Sequence, residues 1–334
     1  MSDETASSAG GLQAAIVAAL RRPEAYPHAV DAVQHVQTHI SHVFLAGAHV
    51  YKLKKAVVFP FLDFGTLPAR EHFCREEVRL NRRLAPGVYV DVVPIVRAND
   101  SFVVGGTGQA VDWLVHMVRL PAERSLAMLA RTRAVTLATM GALAERIARF
   151  HAEASLAGGG TPEALASIWV ENLAGVRPYV GRHLAEEDFE VLADFGHTFL
   201  ARHDAVLRAR PQLGHVREGH GDLRADHVYV LDQPVSVPGA ASLRPGLYVV
   251  DCIEFSEAFR SIDVAADVSF LVMELEQLDR RDLADTFLRA YAEAATDASV
   301  AALVPYYACH RATVRGKVEA LASDEPEVGT EERA

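Results

Sequence analysis

Cysteine is scarce: the 334 residues hold three, Cys74, Cys252 and Cys309, far apart and odd in number. That excludes a disulfide framework. No two of them have a metal-ligand spacing, so reduced thiols in a cytoplasmic protein are expected. Long apolar runs are missing as well. No stretch approaches the roughly 18 residues that a membrane-spanning helix needs. The opening MSDETASSAGG is acidic and polar, where a signal peptide would be basic and then apolar. No membrane partner is therefore expected. Positive charge is in the minority, with 33 Lys and Arg against 44 Asp and Glu and a formal net charge of −11. A chain of that balance lacks the basic footprint of a nucleic-acid binder, so no nucleic-acid partner is expected. There is no internal repeat, and no oligomer interface is read from the sequence. Apolar residues, by contrast, make up half of the chain, enough for two lobes with cores of their own.

The most informative stretch is Gly219-His220-Gly221-Asp222-Leu223-Arg224-Ala225-Asp226-His227-Val228-Tyr229-Val230, followed by Leu247-Tyr248-Val249-Val250-Asp251-Cys252-Ile253-Glu254-Phe255. Each piece joins acidic or imidazole groups to a short β-branched run of the kind that forms buried strands. Asp222 then sits in a loop before one strand, and Asp251 ends another. The Pro, Gly and Ser residues between Gln233 and Gly246 read as a hairpin connection. Two chemistries use such a set. In phosphoryl transfer one Asp orients or deprotonates the acceptor hydroxyl and a second holds the metal on the nucleotide phosphates. In metal-assisted hydrolysis, His and Asp residues hold ions that activate water.

HGDLRADHVYV followed by VVDCIEF resembles the catalytic core of the aminoglycoside phosphotransferases, the kinase-like small-molecule kinases. That family's pattern is His-Gly-Asp-Leu, Asn five residues after the Asp, then a strand-terminal Asp. The resemblance implies Asp222 as catalytic base and Asp251 as metal ligand. It departs where the family has Asn, for this chain has His227.

The N-terminal lobe reads as strands and one helix. Leu12–Arg22 has helical spacing and stops at Pro23, after a start expected to be disordered up to Gly11. His35–Leu45 alternates as a strand, Ala46-Gly47-Ala48 turns, and His49–Lys55 returns. Lys52 lies among apolar residues and is read as an ammonium facing a cleft, whereas Lys54 and Lys55 are read as a solvated basic edge. The Asp63-Phe64-Gly65 tripeptide precedes the catalytic loop and is assigned to a plain loop. A helix over Leu67–Leu84 places Glu77 on one stripe with Phe73, Leu80, Asn81 and Leu84, facing the sheet. Kinases pair a strand lysine with a helix glutamate at the nucleotide phosphates, so Lys52 and Glu77 are the expected pair. An ordinary salt-bridged helix surface is the alternative for Glu77. Tyr51–Pro94 also resembles one branch of the family, in which a P-loop kinase domain follows the phosphotransferase domain. No Gly-x-x-x-x-Gly-Lys-Ser/Thr stretch occurs in these residues, so that second domain is expected to be absent here. Strands over Asp91–Arg97 and Ala110–Leu120 lead to the hinge that the kinase-like reading implies, with backbone groups near Val118 and Leu120 binding adenine.

Helices follow, over 134–154, 162–180, 186–208, about 260–276, 282–294 and 302–321. His151 reads as a packed, hydrogen-bonded core histidine. Asp263 and Asp267 read as structural, capping a helix or bracing the catalytic loop. Tyr306, Tyr307, His310, Arg311, Arg315 and Lys317 form either a solvated basic face or, by the resemblance, a wall of the acceptor site.

The implied fold is α+β and bilobal, protein-kinase-like: a disordered start and helix over 1–27, a sheet-plus-helix lobe over 28–121, a mainly helical lobe over 122–322, and an acidic disordered tail over 323–334. The implied function is ATP-dependent transfer of the γ-phosphoryl group to a hydroxyl of a small molecule such as a sugar, amino sugar or aminoglycoside. Asp222 acts as base, Lys52, Glu77, Val118 and Leu120 bind the nucleotide, and Asp251 and His227 hold Mg²⁺, or Mn²⁺ in its place. Two alternatives stand beside it. One is a nucleotide-binding pseudokinase, suggested by His227. The other is a metal-dependent phosphohydrolase using His215, His220, Asp222, His227 and Asp251, which would have no need of Lys52 and Glu77.

Overall fold

The computed structural model describes residues 2–324, with side chains described for 11–320. The expected disordered start falls on residues whose side chains lie outside those described. The acidic tail beyond residue 324 lies outside them altogether. The chain divides into two compact units, Met1–Arg124 with Tyr229–Ser256, and Ser125–Val228 with Glu257–Ala334. The segment that carries Asp251 therefore belongs with the first unit.

In the first unit, β1 (Val33–Gln37), β2 (Ser41–Ala46), β3 (His49–Lys54), β6 (Tyr89–Ala98), β7 (Ser101–Val104) and β8 (Ala110–Val118) form an antiparallel sheet in the order β1-β2-β3-β8-β6-β7. Small ribbons pair β4 (Val58–Phe59) with β5 (Leu62–Asp63), and β10 (Val228–Leu231) with β11 (Gly246–Val249). The period-2 alternation of β3 decides what each face of the sheet does. Tyr51 and Leu53 point to one face, where Ile16 and Leu20 of α1 (Ser2–Leu20) pack with Phe44, Ile95, Phe102 and Leu114. Lys52 and Lys54 point to the other, towards α2 (Leu67–Asn81). On that face Cys74 and Val78 of α2 pack with Tyr89, Val115 and Val118, and with Leu231, Tyr248 and Val250 of the β10–β11 segment. Thr66 caps α2 by accepting from Ala69 N–H, and Pro68 stands in its first turn.

Three expectations change. The alternating run from His35 to Leu45 is two strands, because Thr38 and Ser41 close a turn on each other. Thr38 N–H donates to the Ser41 carbonyl at 2.9 Å, and Ser41 N–H to Thr38 Oγ1 at 3.0 Å. A β-branched Thr-His-Ile turn gives no Gly or Pro signal. Between the strands expected over Asp91–Arg97 and Ala110–Leu120, where the Asn, Asp and Gly residues read only as a turn, the structure adds β7, entered through Asn99 at φ 51°. The helix read over 186–208 is broken at His203, between α6 (Glu186–Arg202) and α7 (Asp204–Ala209).

The second unit is mainly helical, so the α+β class expected from the sequence is what the structure has. Its centre is α9 (Val264–Gln277), buried from Val264 to Leu275 and flanked by α10 (Arg281–Ala294) and α11 (Val300–Asp324). The helix α4 (Leu137–Glu153) packs on α10. The unit also contains α3 (Leu126–Arg131), α5 (Pro162–Val176) and the short α8 (Glu257–Arg260), beside α6 and α7. Asp263 caps α9 through Ala265 N–H, and the buried Arg210 binds both Asp263 and Asp297. A ribbon of β9 (Val216–Glu218) and β12 (Ser261–Asp263) delivers the His220–Asp222 segment to the first turns of α9. No helix among the described residues is long and apolar enough to cross a membrane.

Candidate functional site

Within the first unit, Lys52, Lys54, Glu77, Asp251 and Glu254 form one ionic cluster. Lys52 Nζ lies 2.7 Å from Asp251 Oδ1 and 3.0 Å from Glu77 Oε1. The first contact is a hydrogen bond, whereas Glu77 Oε1 is close but not aligned for one. Glu77 Oε2 accepts from Lys54 Nζ at 2.6 Å, and Lys54 also binds Glu254. The sheet and α2 thus bring together the strand lysine and the helix glutamate read from the sequence. Burial opposes charge on Lys52, but Asp251, Glu77 and Glu254 outweigh it and hold the ammonium well above its usual range. For Glu77 burial is likewise outweighed, by the two lysines, and its carboxyl is lowered. Glu254 goes the other way: burial and Glu77 raise it despite Lys54.

Lys54 corrects the sequence reading. It is fully buried, not solvated, with its ammonium 4.9 Å from the Phe64 ring centroid. Lys52 and Lys54 are two residues apart on one strand and so share a face, a signal that was available in the sequence. Glu254 carried no such signal, since its partner is 200 positions away.

The turn at Asp251 is held by α2 and β6. Asp251 N–H donates to Tyr89 Oη at 3.0 Å, and Cys252 N–H to Asn81 Oδ1 at 2.9 Å, while Asn81 donates back to the Glu77 carbonyl. Asp251 takes φ 65°, a left-handed conformation rare outside glycine. Its side chain is 45% exposed, so the carboxylate stays within reach of a ligand. Val118, at the end of β8, is buried, and its N–H donates to the Val88 carbonyl; the next amide, of Arg119, donates to Ala48. Both amides are committed to the sheet. Leu120 lies just past the strand, packed against the α2-side core.

In the second unit the His-Gly-Asp loop is braced by Asp267. Asp267 Oδ2 accepts from His220 N–H at 2.7 Å and lies 3.1 Å from His151 Nε2, and Oδ1 accepts from Gly221 N–H at 3.0 Å. Burial pushes this carboxyl up, but the His151 hydrogen bond and the other partners bring it down to about 2. The loop passes so close that a Cβ at Gly219 would sit 2.7 Å from Asp267 Oδ2. Gly221 takes φ 82°. His151 is the buried, hydrogen-bonded histidine read from the sequence, with its Nδ1 2.7 Å from the Tyr291 hydroxyl. His220 is buried too, and its Nδ1 accepts from Asp222 N–H at 3.3 Å.

His227 closes the same loop. Its Nδ1 lies 3.0 Å from the Asp222 carbonyl oxygen and 3.5 Å from Asp222 Oδ2. A carbonyl only accepts, so Nδ1 carries a proton, and in the neutral ring Nε2 is then the acceptor nitrogen. That tautomer is the one a metal-binding or water-binding histidine needs. His215, placed by the hydrolase reading in one metal cluster, lies 3.6 Å from Asp297. Among the described residues no group of three His, Cys, Asp or Glu is placed to hold a metal ion. A nucleotide-bridging Mg²⁺ needs only one or two carboxylates, because phosphates and water supply the other ligands. The Asp251 oxygens fit that cation; the His227 nitrogen suits Mn²⁺ and its neighbours better.

No family model matches the chain. Curated relatives include uncharacterized proteins of Mycobacterium bovis and Mycobacterium tuberculosis, 33% identical over 289 residues, which are 85% of this chain and 54% of theirs. The chain thus spans about half the length of the curated relatives it matches. Among solved structures, a choline/ethanolamine kinase family protein from Mesorhizobium loti has a TM-score of 0.49 at 12% identity, covering 95% of this chain and 89% of that one. A glucosamine kinase has 0.45 at 17% identity, covering 92% and 81%. An aminoglycoside phosphotransferase from Alicyclobacillus acidocaldarius has 0.38 at 13% identity, covering 90% and 94%. All three scores fall below one half.

Proposed function

We propose that the chain is an ATP-dependent phosphotransferase of protein-kinase-like fold that moves the γ-phosphoryl group to a hydroxyl of a small molecule. The observation that carries this reading is the Lys52–Glu77–Asp251 cluster. It sets a strand lysine between a helix glutamate and a partly exposed carboxylate in a left-handed turn. It is what a phosphate clamp beside a metal ligand requires.

Each residue has a role in that chemistry. Glu77, buried and paired with both lysines, fixes the direction of the Lys52 ammonium. Lys52 donates to phosphate oxygens, which would replace Asp251 on it. Asp251 would then hold Mg²⁺, with His227 or a water on His227 as a further ligand. That Mg²⁺ would supply positive charge to offset the charge on the phosphates. Asp222 takes the proton of the acceptor hydroxyl as its oxygen bonds to the γ-phosphorus and the bond from that phosphorus to the leaving ADP oxygen breaks. Asp267 is a positioning residue, since it fixes the loop backbone on both sides of His220. With the Val118 amide engaged in the sheet, adenine recognition falls to the backbone at and beyond Leu120. We also assign the chain to the branch in which a P-loop kinase domain follows. The Tyr51–Pro94 resemblance supports that assignment.

The test is an ATP-consumption screen against sugars, amino sugars and aminoglycosides, with Asp222→Asn as control. Acceptor-dependent ADP release with a phosphorylated product is expected. ADP and free phosphate alone would favour hydrolysis, and nucleotide binding without turnover a pseudokinase.

His227 makes a separate prediction. His227→Asn substitutes an amide oxygen for an imidazole nitrogen, a better match for Mg²⁺. The variant is expected to keep or raise Mg²⁺-supported turnover and to lower any preference for Mn²⁺. Initial rates of both proteins in the two metals check this. Identical metal profiles would remove His227 from the metal site.

A further inference from the structure

The face where α11 meets α9 pairs two positions, one turn apart on each helix. On α9 these are Phe270 and Glu274, and on α11 Arg311 and Arg315, each pair four residues apart and so on one side of its helix. In one pair a cation meets a carboxylate: Arg315 lies 2.5 Å from Glu274 Oε1. In the other it meets an aromatic face: the Arg311 guanidinium stands 5.1 Å from the Phe270 ring centroid. Among the described residues no carboxylate lies within ion-pair distance of Arg311.

The neighbours do not neutralise it. Both Asp267 oxygens are occupied by the loop amides and His151. Glu274, buried, already serves Arg224 at 2.8 Å, Arg315 and the Ala225 N–H at 2.6 Å. Arg224 approaches the same Phe270 ring, at 5.9 Å. Lys317 bonds the Asn172 amide oxygen and, among the described residues, no carboxylate. His310, beside Arg311, is pushed down to about 4 by burial and then by Arg311 and Lys317. Arg224, paired with Glu274, also lies 3.7 Å from Asp226, and Asp222, two residues before Arg224 in the loop, acts electrostatically on both arginines. Burial drives the Arg311 guanidinium below its ordinary value, because these acids compensate it only in part. A partly buried cation without a counter-ion is costly. Arginine's planar fork is also the group best matched to carboxylate and phosphate.

We propose that Arg311, with Arg224 across the Phe270 ring, forms an anion subsite beside Asp222. It takes a carboxylate or phosphate group, carried by the acceptor whose hydroxyl Asp222 activates. The role of Asp222 in this statement rests on the phosphotransferase reading; the subsite itself does not. A cationic acceptor would meet repulsion here.

Arg311→Gln tests the subsite without turnover. With no ligand present, the variant should melt about 2 °C or more above the wild type, since it loses an uncompensated charge. D-gluconate and D-glucose 6-phosphate should raise the melting temperature of the wild type and of Arg311→Lys, but not of Arg311→Gln. D-glucose and D-glucosamine should not distinguish the three proteins. If Arg311→Gln melts below the wild type and neither anionic sugar separates them, Arg311 is a strut on Phe270 and the proposal fails. Kinetics then tell the two sources of the anion apart. A tenfold or greater rise in acceptor KM, with Mg·ATP affinity kept, assigns the group to the acceptor. A fall in kcat at unchanged acceptor KM assigns it to the phosphoryl group in transfer. Absence of ATP turnover with every acceptor would contradict the phosphotransferase reading and leave the melting results to decide the subsite.

Discussion

Asp222→Asn is expected to lower kcat by about 10²- to 10⁴-fold, the usual contribution of a general base, while Mg·ATP affinity stays within about twofold. The asymmetry follows from where Asp222 acts. Its proposed partner is the acceptor proton, which moves only as the new P–O bond forms, so the carboxylate contributes to the transition state and little to nucleotide binding. The substitution should also leave the loop intact. The contacts that hold the loop run through the His220 and Gly221 amides to Asp267, and from His227 to the Asp222 carbonyl, and none of these needs the Asp222 carboxylate. Single-turnover measurement of product on a verified acceptor reads the first effect, and a nucleotide titration the second. Wild-type turnover in Asp222→Asn would remove Asp222 from catalysis.

Lys54→Met is expected to destabilise the protein by about 3 to 5 kcal/mol at pH 8, the usual cost of removing one partner from a buried ion pair. Methionine keeps most of the stem and deletes the ammonium. Glu77 Oε2 and Glu254, both buried, lose their contact with it. The pH dependence has a definite sign. Burial already raises the Glu254 carboxyl in the wild type, and loss of Lys54 raises it further. A carboxyl raised by folding binds its proton in the native state first, so stability increases as pH falls through the raised value. The deficit of the variant should therefore shrink between pH 8 and pH 5. Adding Glu254→Gln, which removes the stranded charge, should recover part of it. Urea unfolding of the two single variants and the double variant, at both pH values, gives the coupling directly. Equal stability of Lys54→Met and the wild type would mean that the cluster holds nothing together.

The parts of the site that could be read in the sequence obey local periodicity. Strand alternation set Lys52 among apolar residues, and helical spacing put Glu77 and Asn81 on one stripe. In the structure that stripe meets Lys52 and the Asp251 turn. What escaped the sequence is set by contacts between distant segments. Lys54 looked like an exposed edge because its two carboxylates lie 23 and 200 positions away. For Asp267 the sequence left capping and bracing both open; the structure shows the bracing, through backbone amides 46 and 47 positions earlier, and an amide donor leaves no mark on residue identity. The uncompensated charge of Arg311 emerged only when α11 was set against Phe270 instead of a second glutamate. The turn at Thr38–Ser41 was hidden for a local reason: its hydrogen bonds use a threonine hydroxyl, and threonine also favours strands.

The central claim is that Lys52, set between Glu77 and Asp251, is a nucleotide phosphate clamp. The most direct test is an equilibrium titration of Mg·ATP into the wild type and Lys52→Ala. Saturable binding by the wild type is predicted, weakened about tenfold or more in the variant, as the loss of a hydrogen bond to a charged group implies. No binding by the wild type, or equal binding by the two proteins, would contradict it.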